Sequence, residues 1–197
     1  MTAPVERQSS ATTEAPRSPR SVADVYAGTI LSTADIGAPP EAVYRALTTA
    51  ELERWWGSGE LYRSTEFTAD LRVNGPWSIT VRWANGDIVL ATGDFIELDA
   101  PRKIVQTRSF EPPHPLLGKR ETTLTFQLEP IDSGTRVTLR DEGFAGRPAA
   151  CTFNAGHWEM VLGWLANYAR EQASLGQPDP GPTAAAGIGS GVTAPEK

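Results

Sequence analysis

The length, composition and charge of the chain favour one acidic globular domain. Of its 197 residues, 40% are hydrophobic, which is enough to form one packed core. A net charge of -6 and a pI of about 5.0 exclude the basic surface that binds nucleic acid or anionic membranes, so we expect neither partner. The single cysteine, Cys151, excludes an intramolecular disulfide and indicates a reducing compartment.

The two ends of the chain differ in composition from its middle. Residues 1–20 and 176–197 are rich in Ala, Thr, Pro, Gly and Ser, and they contain none of the aromatic residues. We therefore expect two disordered tails around one domain at residues 21–175. No run reaches the ~18 apolar residues of a membrane-spanning helix, and the first residues lack the apolar stretch of a secretion signal. A cytoplasmic location without membrane insertion is the expectation.

The first third of the domain is predicted to be one strand followed by two short helices. Residues 24–36 contain the β-branched and aromatic residues typical of a strand. Pro39 and Pro40 end it and suit the first turn of a helix, in which Glu41 complements the helix dipole. A second short helix is predicted over residues 50–56 and presents Trp55 and Trp56.

A series of strands follows, ending in one long helix. Trp77, Ile79, Val81 and Trp83 alternate with polar residues, and Asn85-Gly86 is the pair preferred in a tight hairpin turn. The predicted strands cover residues 67–71, 77–83, 87–98, 103–110, 122–129 and 135–141. Residues 149–175 form an apolar, proline-free helical stretch, with these residues on or near one stripe: Phe153, His157, Met160, Val161, Trp164, Leu165 and Tyr168.

These elements predict an α+β fold. Strands joined by tight turns form an antiparallel meander, here of about six to seven strands. The apolar face of such a sheet must be covered, and the last helix, at ~1.5 Å per residue, is long enough to cross it.

Three stretches carry a resemblance to a known superfamily. The first is Ala38-Pro-Pro-Glu-Ala-Val-Tyr-Arg-Ala-Leu47 followed by Leu52-Glu-Arg-Trp-Trp-Gly57, and the second is Gly93-Asp-Phe-Ile-Glu-Leu-Asp-Ala-Pro-Arg102. The third is Gly134-Thr-Arg-Val-Thr-Leu139, continued by Glu142-Gly-Phe144, Gly156-His-Trp158 and Gly163-Trp164. In order and spacing they resemble the SRPBCC (START-like) superfamily, in particular the group related to the activator of the heat-shock-protein-90 ATPase. One departure is that both Gly156-His-Trp158 and Gly163-Trp164 match the family's single Gly-Trp pair.

The resemblance implies a helix-grip fold, in which a curved antiparallel sheet wraps around the long C-terminal helix. The space between them is often a cavity for an apolar or amphipathic small molecule. The candidate ligand-binding residues are Trp55, Trp77, Val81, Trp83, Asp94, Arg108, Phe153, His157, Met160 and Trp164.

Several of these residues have alternative interpretations. The Trp77 face lines a pocket if it is concave, and it is a homodimer interface if it is convex. Either Trp55 or Trp56 fills the core while the other borders the cavity. Arg108 and Asp94 are the preferred inward-facing charged pair, because strand parity places both on one side of adjacent strands.

The histidines have alternatives as well. His157 is either a general acid or base facing the cavity or a residue of the helix surface or core. His114, between prolines in a loop, is expected to be solvated. The catalytic candidates are His157, Glu142 and Tyr168. No metal-ligand spacing, glycine-rich phosphate loop or nucleophile elbow is present, so we expect no metal and no cofactor.

Three functions follow as hypotheses. The first is non-catalytic binding of a hydrophobic or aromatic small molecule. The second is an enzyme of the cyclase, aromatase or dehydratase type, acting without metal on a polyketide-like substrate, as relatives of this fold do. The third, implied by the resemblance alone, is a co-regulator of a heat-shock ATPase with a chaperone as partner.

Overall fold

The computed structural model describes residues 16–175, which form one antiparallel sheet and three helices. The elements are β1 (Arg20–Asp24), β2 (Thr29–Ile36), α1 (Pro40–Thr48), α2 (Leu52–Trp55), β3 (Gly57–Ser58), β4 (Tyr62–Ala69), β5 (Pro76–Trp83), β6 (Ile88–Asp99), β7 (Lys103–Glu111), β8 (Thr122–Ile131), β9 (Gly134–Glu142) and α3 (Pro148–Leu175). Of the two predicted tails, residues 1–15 and 176–197 lie outside the described residues. The described residues 16–20 include Arg20, the first residue of β1, and Arg17, whose backbone amide donates a hydrogen bond to Asp35.

The described part of the sheet has nine strands in the order β1-β2-β9-β8-β7-β6-β5-β4-β3. The predicted α+β meander is confirmed, but the predicted number of strands was too small. Residues 24–36 were predicted to be one strand, whereas they form a turn and the second strand of a hairpin. The Asp24 carboxylate accepts hydrogen bonds from the backbone amides of Tyr26 and Ala27, and Gly28 adopts a φ of 68°. Such local side-chain bonds favour a turn over continued strand pairing.

The two short helices pack against each other and against the sheet, α1 on β8 and β9 and α2 on β4. Pro40 occupies the first turn of α1, where its missing N–H has no helical partner to lose, and Glu41 lies in the same turn as predicted. The α2 helix buries Leu52 and Trp55, and the Trp55 indole donates a hydrogen bond to the Ala46 carbonyl. This bond fixes α2 against α1.

Helix α3 lies across the sheet and covers its apolar face. It packs on β1 and β2, and it buries Cys151, Trp158, Val161, Leu162 and Leu165. These side chains meet the inward-facing residues of β2, β8 and β9, among them Ile30, Leu124, Val137 and Leu139, which are all fully buried. The solid part of the core therefore lies under one half of the sheet. Within residues 16–175, no helix combines the length and apolarity that a membrane span requires.

Candidate functional site

A cavity of about 620 Å³ lies between α3 and the other half of the sheet. Its walls come from β4, β5, β6 and β7, from the N-terminal half of α3, and from the loop that follows β7. Helix α3 packs against β1 and β2, at the opposite edge of the sheet. The curvature of the sheet leaves a space between the helix and strands β4 to β7. The volume falls within the ~300–1,000 Å³ typical of small-molecule pockets.

The wall formed by β5 is the face that sequence alternation identified. Trp77, Ile79, Val81 and Trp83 all line the cavity, so this face of β5 is concave. The intervening Arg82 lies on the opposite face, is exposed and pairs with Glu66. Trp77 and Trp83 therefore do not form the outward-facing pair that the alternative of a dimer interface on β5 requires.

Exposed apolar side chains surround the cavity mouth. Ile88 in the β5–β6 hairpin, Leu116 in the loop after β7 and Phe153 in the first turns of α3 all line the cavity and are 53%, 41% and 52% exposed. The residues at the far end, including Leu47, Leu52, Ile104 and Phe126, are buried. The opening is thus bordered by three separate segments.

A buried arginine supplies the strongest charge in the cavity wall. Arg108 on β7 is 5% exposed, and its Nη2 donates a 2.7 Å hydrogen bond to Oδ2 of the fully buried Asp141 on β9. The guanidinium contacts the rings of Phe110 and Trp158, with its central carbon 5.1 and 5.3 Å from their centroids. Within the described residues, Arg108 Nε–H and Asp141 Oδ1 have no hydrogen-bond partner.

Asp141 lies behind the guanidinium and does not line the cavity. Its Oδ2 also accepts a 2.8 Å hydrogen bond from the Trp158 indole. Burial raises the pKa of the Asp141 carboxyl, whereas the charge of Arg108 and the Trp158 hydrogen bond oppose that rise. The pair thus presents the positive member to the cavity and keeps the negative member in the protein interior.

A chain of hydrogen bonds crosses from α2 to α3 beside Arg108. The Trp56 indole donates to the Tyr62 hydroxyl over 3.1 Å, and that hydroxyl lies 3.0 Å from His157 Nε2. Burial raises the pKa of Tyr62, so the phenol keeps its proton. Burial, and next the charge of Arg108, lowers the pKa of His157 to about 4, so the imidazole is neutral at pH 7. We therefore assign Tyr62 as donor to Nε2, which leaves the proton of His157 on Nδ1.

His114 belongs to the cavity wall, and the expectation of a solvated loop histidine was wrong. It is half-buried, and its Nδ1 accepts hydrogen bonds from the backbone amides of Leu116 and Leu117 over 3.1 and 3.2 Å. Its ring lies 5.4 Å from that of Phe110 and 6.0 Å from that of Phe153. Burial and the charge of Arg108 lower its pKa. The backbone of residues 114–118 closes on itself and carries the ring inward.

The structure brings six of the ligand-binding candidates together at the cavity: Trp77, Val81, Trp83, Arg108, Phe153 and His157. Of the two neighbouring tryptophans, Trp56 borders the cavity and Trp55 fills the core, which matches one of the two arrangements considered.

Six other candidates lie away from the cavity: Trp55, Asp94, Glu142, Met160, Trp164 and Tyr168. Asp94 is exposed on the outer face of β6, so the pair Arg108–Asp94 is corrected to Arg108–Asp141. Glu142 pairs with Arg140, and the Tyr168 hydroxyl donates to Glu51.

The predicted helical stripe on α3 included two candidates that do not reach the cavity. Met160 is half-buried outside the cavity, and Trp164 packs edge-on against the rings of Tyr62 and His157. Both positions follow from the part of α3 that faces the cavity, since the lining residues of this helix are Phe153, Asn154 and His157.

Tyr62 is a residue of the cavity wall that was not among the candidates from the sequence. It lies in the first part of β4, which was not predicted as a strand. A bulge in β4 between Thr65 and Thr68, with Glu66 at a φ of 58°, breaks the alternation. Inward positions therefore run Tyr62, Ser64 and then Phe67. The alternation of Tyr62 and Ser64 was the available signal.

Within residues 16–175, no group of three or more His, Cys, Asp and Glu side chains could hold a metal ion. Cys151 is fully buried near β1 and β2, and burial raises the pKa of its thiol. Neither observation points to metal or thiol chemistry at the cavity.

Comparison with known families and structures gives consistent results. The model of the family described as "Activator of Hsp90 ATPase homolog 1-like protein" matches residues 37–170. A crystal structure of a protein from Chromobacterium violaceum is 26% identical, with a TM-score of 0.61 over 72% of this chain and 96% of that one. Curated protein sequences give no significant match.

Two further solved structures share the fold at lower identity. A protein from Mycobacterium smegmatis is 19% identical, with a TM-score of 0.64 over 80% of this chain and 96% of its own. A solution structure from Arthrobacter aurescens is 22% identical, with a TM-score of 0.63 over 81% of this chain and 93% of its own. The grip of a curved sheet on a long C-terminal helix is thus shared beyond this sequence.

Proposed function

Since the chain belongs to the family of Activator of Hsp90 ATPase homolog 1-like proteins, a group built on a fold that generally binds small molecules, we propose that it binds an apolar or aromatic small molecule. The cavity beneath the N-terminal half of α3 is the proposed site. The observation that carries the proposal is its volume of about 620 Å³ combined with walls of Trp56, Trp77 and Trp83.

The chemistry of the walls favours this class of ligand. Aromatic rings on β5 and α2 offer flat, weakly hydrated surfaces against which a planar molecule stacks. Burial of apolar ligand area contributes roughly 25 cal/mol per Å², so the walls supply affinity while the few polar groups set orientation. An exposed apolar rim at Ile88, Leu116 and Phe153 gives such a molecule a route of entry.

The test compares a substitution that fills the cavity with one on the opposite face of the same strand. Val81→Trp places an indole inside the cavity, and the adjacent Arg82→Trp places the same side chain outside. N-phenyl-1-naphthylamine, a neutral dye that fluoresces in apolar sites, is titrated into the wild type and both variants. We expect binding to the wild type and to Arg82→Trp and at least about tenfold weaker binding to Val81→Trp. Equal binding by both variants would place the dye elsewhere.

Native mass spectrometry of freshly purified protein adds independent information. A co-purified small molecule would identify the natural ligand class directly. Its loss from Val81→Trp and retention by Arg82→Trp would assign it to the cavity.

The enzymatic hypothesis, cyclase-, aromatase- or dehydratase-like, keeps one observation in its favour. Arg108 and His157 share the cavity wall, and a guanidinium can stabilise negative charge that develops on a carbonyl oxygen. Against it, a pKa of about 4 makes His157 a weak base at neutral pH, and its Nε2 is engaged by Tyr62. Turnover of a poly-β-ketone thioester by the wild type and not by His157→Gln would make catalysis the better proposal.

The chaperone hypothesis has only the family description in its support. Capture of the heat-shock ATPase by the immobilised full chain, and its absence with an unrelated acidic protein, would favour it.

A further inference from the structure

The guanidinium of Arg108 lines the cavity and makes one hydrogen bond within residues 16–175. We propose that the cavity takes an aromatic molecule carrying one acidic oxygen group, a carboxylate or a similar oxyanion, and that Arg108 receives this group. This inference rests on the proposed function and adds a charge and a position to the ligand.

The guanidinium of Arg108 has more hydrogen-bond donors than residues 16–175 satisfy. An arginine has five N–H donors, and the structure shows one hydrogen bond from Arg108, that from Nη2 to Asp141. The Nε–H is enclosed by the protein and has no acceptor among residues 16–175, and the Nη1 donors make no hydrogen bond there either. Because Arg108 lines the cavity, a ligand oxygen accepts from the outer N–H groups of the guanidinium, which a neutral apolar ligand leaves without a partner.

The Arg108–Asp141 ion pair turns its positive member toward the cavity. Arg108 forms part of the cavity wall, and Asp141 does not. The only carboxylate in the described wall is Asp87, which is exposed at the mouth. Burial and the charge of Arg108 lower the pKa values of His114 and His157. The positive potential of Arg108 is therefore felt at both rings, even though Asp141 lies next to it. An anionic group therefore enters a cavity with one buried positive charge and no buried negative charge on its surface.

The guanidinium of Arg108 is held in place by its surroundings. It contacts the rings of Phe110 and Trp158, and its ion pair with Asp141 fixes its orientation. A preorganised planar fork recognises a planar carboxylate at a low cost in side-chain entropy. The aromatic walls of β5 then receive the remainder of the molecule.

The experiment uses two dyes with the same ring system. 8-Anilino-1-naphthalenesulfonate differs from N-phenyl-1-naphthylamine by one sulfonate group. Both are titrated into the wild type and into Arg108→Gln/Asp141→Asn, which removes one charge of each sign and so leaves the net charge unchanged. The matched control is Arg136→Gln/Asp35→Asn, an ion pair of β9 and β2 outside the cavity.

We expect the cavity double variant to bind the sulfonate dye about tenfold or more weakly, because it has lost a charge-assisted hydrogen bond. Its affinity for the neutral dye falls by a clearly smaller factor, because that dye loses only apolar contact with residue 108, and both affinities of the control variant stay within about twofold of the wild type. An equal change for the two dyes overturns the inference and leaves the binding function standing. Failure of both dyes to bind the wild type overturns the binding function, and the inference falls with it.

A second measurement needs no substitution. 2-Naphthoate and 2-naphthamide have nearly the same shape, and each competes with N-phenyl-1-naphthylamine for the wild-type protein. We expect the carboxylate to displace the dye at about one tenth of the concentration required for the amide, or less. Equal potency contradicts a role for negative charge, whether or not the double variant folds.

Discussion

Breaking the Arg108–Asp141 pair from one side should cost far more stability than removing it whole. Asp141→Asn leaves a guanidinium that is 5% exposed without a counter-ion, and Arg108→Gln leaves a fully buried carboxylate without its counter-ion, although it still accepts the hydrogen bond of the Trp158 indole. Removing one partner of a buried pair typically costs ~3–5 kcal/mol. The double variant leaves neither charge behind.

The cost of the double variant can be estimated from its contacts. The double variant loses two cation–π contacts, to Phe110 and Trp158, and each of them contributes ~0.5–2 kcal/mol. The loss of packing is small, because Arg108 already borders a cavity. We therefore expect the double variant to be destabilised by about 1–4 kcal/mol, against a sum of about 6–10 kcal/mol for the two single variants. The free energy of coupling between the two sites is then about 2 kcal/mol or more.

The assay is urea unfolding of the wild type, both single variants and the double variant at pH 7, followed by tryptophan fluorescence. The same cycle on Arg136 and Asp35 is the control, since Arg136 is 21% exposed and its pair is partly solvated. Its coupling energy should be smaller. Additive single effects at Arg108 and Asp141, with a coupling below about 0.5 kcal/mol, would refute the description of a buried, mutually dependent pair.

Three further predictions concern other parts of the domain. His157 has a pKa of about 4 in the folded chain and ~6.5 when unfolded, so the unfolded chain binds more protons between these values and stability falls as the pH drops through this window. Between pH 7 and pH 5 the wild type should lose on the order of 1–2 kcal/mol more than His157→Gln, by urea unfolding. Cys151 is fully buried with a raised thiol pKa, so it should react with a disulfide reagent such as DTNB only after unfolding. Gly93→Ala should lower the melting temperature by several degrees, because a Cβ there would lie 1.9 Å from the Thr107 carbonyl oxygen of the neighbouring strand.

Each of these has a clear opposing result. Parallel pH profiles for the wild type and His157→Gln would show that this ring is not held neutral by the fold. Rapid modification of Cys151 in the native protein would mean that the β1–β2 hairpin opens readily. An unchanged melting temperature for Gly93→Ala would show that β6 and β7 are farther apart at this point than the structure has them.

The strand pattern was predictable from the sequence where the alternation is unbroken. Trp77 to Trp83 follow a period of two without a bulge, and the Asn85-Gly86 turn fixes the next strand. The first hairpin was missed because its turn depends on the Asp24 carboxylate bonding to backbone amides, a weaker signal than Asn-Gly.

The site was predictable only in part, because it depends on contacts across the sheet. The alternation of inward and outward residues along a strand correctly predicted that Arg108 points inward. The same alternation predicted Asp94, on the adjacent strand, as its partner, and this was wrong. The true partner, Asp141, lies two strands away, and Thr122 of the intervening β8 pairs with Arg108 along the backbone. No local pattern encodes such a contact. Tyr62 was hidden by the β4 bulge, which shifts the inward positions by one residue.

The most direct measurement of where a ligand lies is an isotope-filtered NOE spectrum of the protein with N-phenyl-1-naphthylamine. Ile79 and Ile104 are buried in the cavity walls, whereas Val22 and Leu31 are exposed on the β1–β2 hairpin, at 68% and 52%. A ligand between sheet and helix predicts dye contacts to the methyl groups of Ile79 and Ile104. Contacts confined to Val22 and Leu31 would place the dye on the outer surface and contradict the account.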